Sequence, residues 1–458
     1  MQDLTTGSIT RHLLKTASFM LVTMIFQTLY FLVDLYWVGR LGKEAVAAVG
    51  IAGNLTFIVL AVSQMLGVGT TTLVSHATGR KDHEQALLVF NQSQSLSVLV
   101  GAIFFAVTML LRGAYSSTLA ADPQTALQAR QYLTWFIPAM ALQFAMVAMG
   151  AALRGTGNFK PGTVVATVTV ILNMVLAPFL IFGWGTGVPL GVAGAAISSL
   201  VAVAVGVVWL GTYFIKPSAY LHFVPSQWVP RFSLWSQMLK IGMPAGAEFG
   251  LMAVYLFVVY SISRPFGAAA QAGFGIGLRV VQAGFMPVVA LGFSVAPVAG
   301  QNFGARLPDR VKKTYVIAAS MAAGFMVVWA IACHFGAAPI VRLFSSDAPV
   351  IEVGGEYLRI IAWTFVGSGL VFVSSSMFQA LGNTLPPLAA SFGRMLLTAL
   401  PAILLARMPG FQLRWIWYLS AGTIGFQVIA VLLLLQREYR LRLGSASMLG
   451  TASATVRT

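Results

Sequence analysis

Apolar runs of about 20 residues recur along nearly the whole chain, and each is long enough to cross roughly 30 Å of hydrocarbon as a helix. Of the 458 residues, 58% are hydrophobic and only 9% are charged, against about a quarter charged in a soluble domain. No water-soluble fold covers that much apolar surface. Barrel strands would show alternating segments of about ten residues, and these runs do not. The reading is therefore an all-α, polytopic membrane protein of twelve helices. The first six are placed near 13–38, 46–76, 86–111, 131–153, 163–183 and 189–215. The second six fall near 238–263, 270–299, 311–335, 356–381, 388–407 and 413–435.

Charge gives the topology. The balance of 28 Lys and Arg against 12 Asp and Glu leaves a net +16, which in a soluble chain would suggest nucleic acid. Here the basic residues concentrate in alternate loops, from Arg11 and Lys15 through Arg80, Lys81, Arg310 and Lys313 to Arg437. That bias predicts both termini in the cytoplasm and no nucleic-acid partner. The first apolar segment, residues 16–39, carries no small-residue cleavage site and reads as a retained helix rather than a signal peptide. Cys333 is the only cysteine, so an internal disulfide, a CxxC pair and a multi-cysteine zinc site are excluded. No resident cofactor or metal is expected.

The chain also repeats itself. At an offset of 225 residues, Gly42 matches Gly267, Gly50 matches Gly275, Gly67 matches Gly292 and Gly79 matches Gly304. Asp122 likewise matches Asp347, and Gly157, Asn158 and Pro161 match Gly382, Asn383 and Pro386. The matches fall at helix ends and turns, where such residues set turns or permit close helix approach. One polar break, rich in Pro217, Pro225 and Pro230, divides the repeats. The expected organisation is an N-terminal six-helix bundle (1–215), a cytoplasmic linker (216–237), a C-terminal six-helix bundle (238–440) and a disordered tail (441–458). Six helices is an even number, so the halves enter the membrane in the same sense, and two such bundles with a cleft between them suit alternating access.

Several strings resemble the multidrug and toxic compound extrusion (MATE) family of bacterial exporters. They are Asp34-Leu35-Tyr36-Trp37-Val38-Gly39-Arg40-Leu41-Gly42, Gly300-Gln301-Asn302-Phe303-Gly304-Ala305, and the paired Gly155-Thr156-Gly157-Asn158 and Leu381-Gly382-Asn383 motifs, each with its following proline. The resemblance implies a monomeric exporter in the bacterial cytoplasmic membrane, driven by protons or, less readily, sodium, with lipophilic cationic small molecules as cargo. The closest rival is a lipid-linked oligosaccharide flippase of the same superfamily. It would want several cations inside helices to hold pyrophosphate, and only Arg279 and Arg394 lie there. A channel or a membrane-embedded enzyme is a more distant alternative.

Asp34 is the sharpest ion-coupling candidate, because an ionisable residue inside a membrane helix is costly and by default suggests function. Thr23, Gln27, Tyr30 and Asp34 follow helical spacing along one polar stripe. The resemblance implies that the helix-one aspartate binds the coupling ion together with an asparagine on helix five, matched here by Asn173. One turn on, where proton-linked relatives carry a second aspartate, stands Ala177. The repeat partner of Asp34 is Val259, so coupling is expected to belong to the N-terminal half. Phe19 occupies the position of a kinking proline in relatives.

In the second half Glu248, four residues after Pro244, is the buried acid. With Tyr255, Gln282 and Met286 it forms the substrate-binding candidate, and it could instead pair with Arg279 or Arg394. The acids of sodium-linked relatives are replaced by Met252 and by Ser374, Ser375 and Ser376, which disfavours sodium. Other motifs fail: His83-Glu84 lacks the second histidine of a zinc helix, and no phosphate loop is present. Gly246 and Gly250 fit a nonspecific helix-packing GxxxG.

Overall fold

The computed structural model describes the backbone of residues 2–185 and 187–454 and the side chains of the same span up to residue 443. Among the described residues there is no strand. The first repeat forms α1 (Ile9–Gly39), α2 (Lys43–Gly79), α3 (His83–Leu119), α4 (Pro123–Gly155), α5 (Lys160–Phe182) and α6 (Gly191–Thr212). The second forms α7 (Phe232–Ser263), α8 (Gly267–Gly304), α9 (Pro308–Phe335), the short α10 (Ala337–Arg342), α11 (Ala348–Ile361), α12 (Phe365–Leu381), α13 (Leu385–Leu405) and α14 (Arg414–Ala454).

Among the described residues eleven stretches are long and apolar enough to span a membrane, and one of them, Phe232–Gly304, is 73 residues long. As a single helix it would extend about 110 Å, far beyond a bilayer. It reverses instead at a 3-10 turn, Arg264–Phe266, followed by Gly267 at φ +86°. The stretch is therefore two spans, α7 and α8, and the total is twelve.

The repeat is written into the backbone. Gly42 and Gly267 both take positive φ (116° and 86°), as do Gly157 and Gly382 (78° and 76°). More telling are Lys81 and Arg306, the two non-glycine residues with positive φ among the described residues, at 60° and 56°. They too stand 225 residues apart, each after the glycine that closes α2 or α8. The same capping bonds recur, with Asp82 N donating to Ala77 O and Leu307 N to Asn302 O. Such a left-handed cap disfavours most side chains, so its recurrence marks shared backbone geometry.

The chain divides into two compact units. One is Met1–Asp3 with Ser18–Gly246, and the other is Leu4–Ala17 with Ala247–Thr458. The opening turns of α1 thus pack with the second repeat, and those of α7 with the first. In the first unit, Gly242 and Gly246 let α7 approach α2 closely: a Cβ at Gly246 would lie 2.6 Å from the Ala61 carbonyl, and one at Gly242 would collide with that of Met65. Nothing lies within 4 Å of a Cβ at Gly250. The close-packing pair is therefore Gly242 and Gly246, one turn before the expected one. Small residues serve here because lipid supplies no hydrophobic drive between helices.

Buried side chains satisfy the segments that precede α1 and α7, as buried backbone groups require. In the second unit, Gln301 Oε1 accepts from Leu4 N (2.9 Å) and Asn302 Nδ2 donates to Leu4 O (3.2 Å). Arg310 donates to Asn302 Oδ1 (2.8 Å) and to Gly7 O (3.2 Å). That is the structural work of the Gly300–Ala305 motif. In the first unit, α3 holds the stretch before α7: Asn91 Oδ1 accepts from Val224 N and Trp228 Nε1, while Gln92 Oε1 accepts from Arg231 N.

Several element boundaries differ from the sequence reading: α3 runs on to Leu119 and α4 starts at Pro123, each eight residues beyond the expected bound. Helix seven begins at Phe232, six residues earlier. Helix ten begins at Ala348 and carries a 3-10 turn at Ala362–Thr364, where the Thr364 hydroxyl donates to Ile361 O (2.7 Å) and draws the turn tight. The last helix continues to Ala454, because the expected tail begins with good helix formers such as Leu441, Arg442 and Leu443. Residues 455–458 of that tail lie outside the described residues.

Outside the spans, Asp122 caps α4, accepting from Thr125 N (2.8 Å) and Thr125 Oγ1 (2.7 Å). The bond from the Thr125 amide, before any other influence, holds its carboxyl below the usual value. A depressed carboxyl contributes stability above its unfolded pKa and loses it as pH falls through the folded one. Thermal denaturation of wild type and Asp122→Ala should show a constant gap above about pH 5 that closes below about pH 4. A gap that persists unchanged in acid would show that the carboxylate is not the capping species.

Candidate functional site

In the first unit, α1, α4, α5 and α6 bring a cluster of polar side chains together. Tyr30 and Asp34 lie one turn apart on α1, and Asn173 comes from the middle of α5. The Tyr30 hydroxyl lies 3.0 Å from Ser199 Oγ on α6. Asn173 Nδ2 donates to Ser199 Oγ (3.0 Å) and Ser198 Oγ (3.3 Å). Both serine hydroxyls in turn donate to Ala195 O. Asp34 is buried, and its Oδ1 has no hydrogen-bond partner. The buried Tyr132 of α4 and Tyr30 are both within electrostatic reach of the Asp34 carboxyl.

Among the described residues no cation pairs with Asp34, and the two tyrosines near it are neutral. A carboxyl oxygen left without a partner is costly there, and a proton or a small cation would satisfy it. Of the expected ion-coupling residues, Tyr30, Asp34 and Asn173 therefore converge, whereas Gln27 is exposed. Thr23, at the start of the stripe, donates to Thr163 Oγ1 on α5 (3.4 Å). Sequence reasoning missed Tyr132, Ser198 and Ser199. The Ser198-Ser199 pair was the available signal, since it interrupts an otherwise apolar helix.

The second unit holds a longer network. Glu248 Oε2 accepts from Ser375 Oγ (3.2 Å) and Oε1 from Ser391 Oγ (3.4 Å). Ser391 accepts from Gln427 Nε2 (3.0 Å), and Gln427 Oε1 accepts from Arg394 Nη1 (3.4 Å). Arg394 Nη2 also donates to Ser420 Oγ (3.4 Å), which lies 3.2 Å from the Tyr255 hydroxyl. The alternative role for Glu248, pairing with an arginine, takes a different form: among the described residues Glu248 makes no direct ion pair, and Arg394 is reached through two neutral side chains. Arg279 is exposed. Of the expected substrate-binding residues, Tyr255 joins this network, Met286 is half-buried and Gln282 is exposed.

The Leu381-Gly382-Asn383 motif has a separate task. Asn383 Nδ2 donates to Glu438 (3.1 Å), and Arg442, paired with Glu438, donates to Leu381 O (2.7 Å). This ties the end of α12 to α14.

Comparison with known proteins agrees with this architecture. The MatE family profile matches twice, over residues 20–179 and 244–404. Among curated relatives, a "FAD transporter" of Shewanella oneidensis is 27% identical, covering 81% of this chain and 82% of the relative. A "Multidrug export protein MepA" of Staphylococcus haemolyticus is 26% identical, covering 80% of each chain. Two solved structures, a multidrug resistance MATE family transporter in the outward-facing conformation and a MATE in the bent conformation, share the fold, with TM-scores of 0.87 and 0.90. Each is 22% identical and covers 97% of this chain and 98% of that one. Two repeats each matched by the profile and twelve apolar spans lead to one assignment: the chain is a multi-pass membrane transporter of the MatE family of multidrug efflux proteins.

Proposed function

We propose that this transporter is a secondary active antiporter, exporting lipophilic or cationic small molecules against protons by alternating access in a bacterial inner membrane. Asp34 is the proton-coupling group, with Tyr30 and Asn173 shaping its surroundings. Glu248 and Tyr255 contribute to substrate binding. The observation that carries the reading is the buried, partnerless Asp34 oxygen with the neutral hydroxyls of Tyr30 and Tyr132 within electrostatic reach. Coupling needs only that proton and cargo each favour a different state of the protein. Protons are preferred over sodium because the positions at which sodium-linked relatives carry further acids hold Met252, Ser374, Ser375 and Ser376 here. Neither termini in the cytoplasm nor a monomeric state is required by the coupling, but both accompany the reading.

A second reading, export of flavin-like compounds, is supported by the relative named as a FAD transporter. It changes the cargo and leaves the coupling group in place.

The test uses purified protein in lipid vesicles loaded with ethidium, under separately imposed proton and sodium gradients. A proton gradient alone should drive ethidium transport, and a sodium gradient alone should not. Transport driven by sodium at equal internal and external pH would overturn the proton assignment.

A further inference from the structure

The two units build one polar framework around opposite charges. In the first, Tyr30 of α1 meets Ser199 of α6, and Asn173 of α5 meets Ser198 of α6. In the second, Tyr255 of α7 meets Ser420 of α14, and Thr398 of α13 meets Thr423 of α14 at 2.9 Å. Tyr30 and Tyr255, Asn173 and Thr398, and Ser198 and Thr423 all stand 225 residues apart. Ser420 lies one turn before the position that corresponds to Ser199. At the same offset Asp34 is replaced by Val259, and Thr169 by Arg394. The framework that gathers hydroxyls near a carboxylate in one unit gathers them near a guanidinium in the other.

Arg394 is underused by its neighbours. A guanidinium presents five N–H donors. Two contacts are made, both at 3.4 Å and both to neutral oxygens, those of Gln427 and Ser420. Its Nε is buried without a partner, and no carboxylate lies within ion-pair distance of it among the described residues. Glu248 communicates with it only through Ser391 and Gln427. A cation held in a membrane helix with donors to spare is a functional site by default, and the planar fork of arginine matches phosphate and carboxylate oxygens.

We propose that Arg394, with Tyr255, Ser420 and Gln427, forms a subsite for the phosphate or carboxylate group of an amphipathic small molecule carried by this transporter. The two hydroxyls can turn to donate to an anion's oxygens, and the Gln427 amide oxygen keeps the guanidinium oriented. Within the second unit the anionic group of a cargo is thereby favoured at Arg394, apart from the Glu248 carboxylate, which is reached only through Ser391 and Gln427. This step goes beyond the coupling role of Asp34 and does not depend on it.

Equilibrium binding to the purified full chain tests it, using two fluorescent probes that share a ring system and differ by a carboxylate, dansylglycine and dansylamide. Wild type should bind dansylglycine about tenfold more tightly than dansylamide. Inorganic phosphate at millimolar concentration should compete with the former and not the latter. Arg394→Gln should bring the two affinities within about twofold while leaving that of dansylamide unchanged. Should removal of the arginine alone prevent folding, by leaving Glu248 without its distant countercharge, the double variant Arg394→Gln/Glu248→Gln removes both charges and must show the same loss. Equal affinities in wild type, or a folded variant that keeps the preference, would overturn the proposal. No gradient is imposed, so either result is separable from the fate of Asp34.

Discussion

Asp34→Asn should abolish the ability of a proton gradient to concentrate cargo while leaving cargo binding nearly intact. With one proton exchanged per cycle, a pH step of one unit supplies about 1.4 kcal/mol, or roughly a tenfold cargo ratio at steady state. Asparagine keeps the size and hydrogen-bonding capacity of the side chain but binds no proton. The ratio should therefore fall from about tenfold to about one, whereas exchange of labelled for unlabelled ethidium at equal pH should continue. The separation matters because Tyr30 and Asn173 each bond to Ser199 and not to the Asp34 oxygen that lacks a partner. The neutral framework can survive loss of the charge. A variant that still sustains a tenfold ratio would remove Asp34 from the coupling step.

Much of this molecule is legible in sequence because the bilayer simplifies the problem. Length and apolarity alone give twelve spans, and the duplicated turn residues give two repeats. The details of Lys81 and Arg306 show where such reading ends: neither residue type signals a left-handed conformation, yet both adopt one. What was hidden is that the opening turns of α1 and α7 pack with the opposite repeat. Helical periodicity describes one helix at a time and carries no information about which neighbour a face will meet.

The candidate site was legible to the same degree. Asp34, Glu248 and Arg394 stand out because charge inside a membrane helix is expensive wherever it points. Their neutral partners do not stand out, since serine and threonine occur throughout membrane helices and are absorbed locally by carbonyls one turn back, as Thr28 and Thr108 are. Which hydroxyl serves its own helix and which reaches another depends on interhelical distance, and glycine sets that distance. Gln27 illustrates the converse error: it has the right spacing along α1 and is exposed.

Gly194→Val should separate the α6 serines from Asn173 and so lose both stability and transport. A Cβ at Gly194 would stand 2.5 Å from the Leu180 carbonyl oxygen and 2.6 Å from its carbon. Both are backbone atoms of α5, which no rotamer change can clear. Relief requires α6 to move away from α5, and one turn further along, Ser198 and Ser199 accept hydrogen bonds from Asn173 at 3.3 and 3.0 Å. Bonds of that length have little reserve, since a displacement of about 0.5 Å carries them past the useful range. Overpacking of this kind costs about 1–3 kcal/mol, and for a chain of 458 residues the apparent Tm in detergent should fall by roughly 1–3 °C. Gly250→Ala is the matched control, because its Cβ meets nothing within 4 Å and alanine is the better helix former; its Tm should hold or rise slightly. If Gly194→Val retains full gradient-driven transport at a wild-type Tm, the contact between α5 and α6 is not what positions the serines, and the cluster around Asp34 must be held from the α1 side instead.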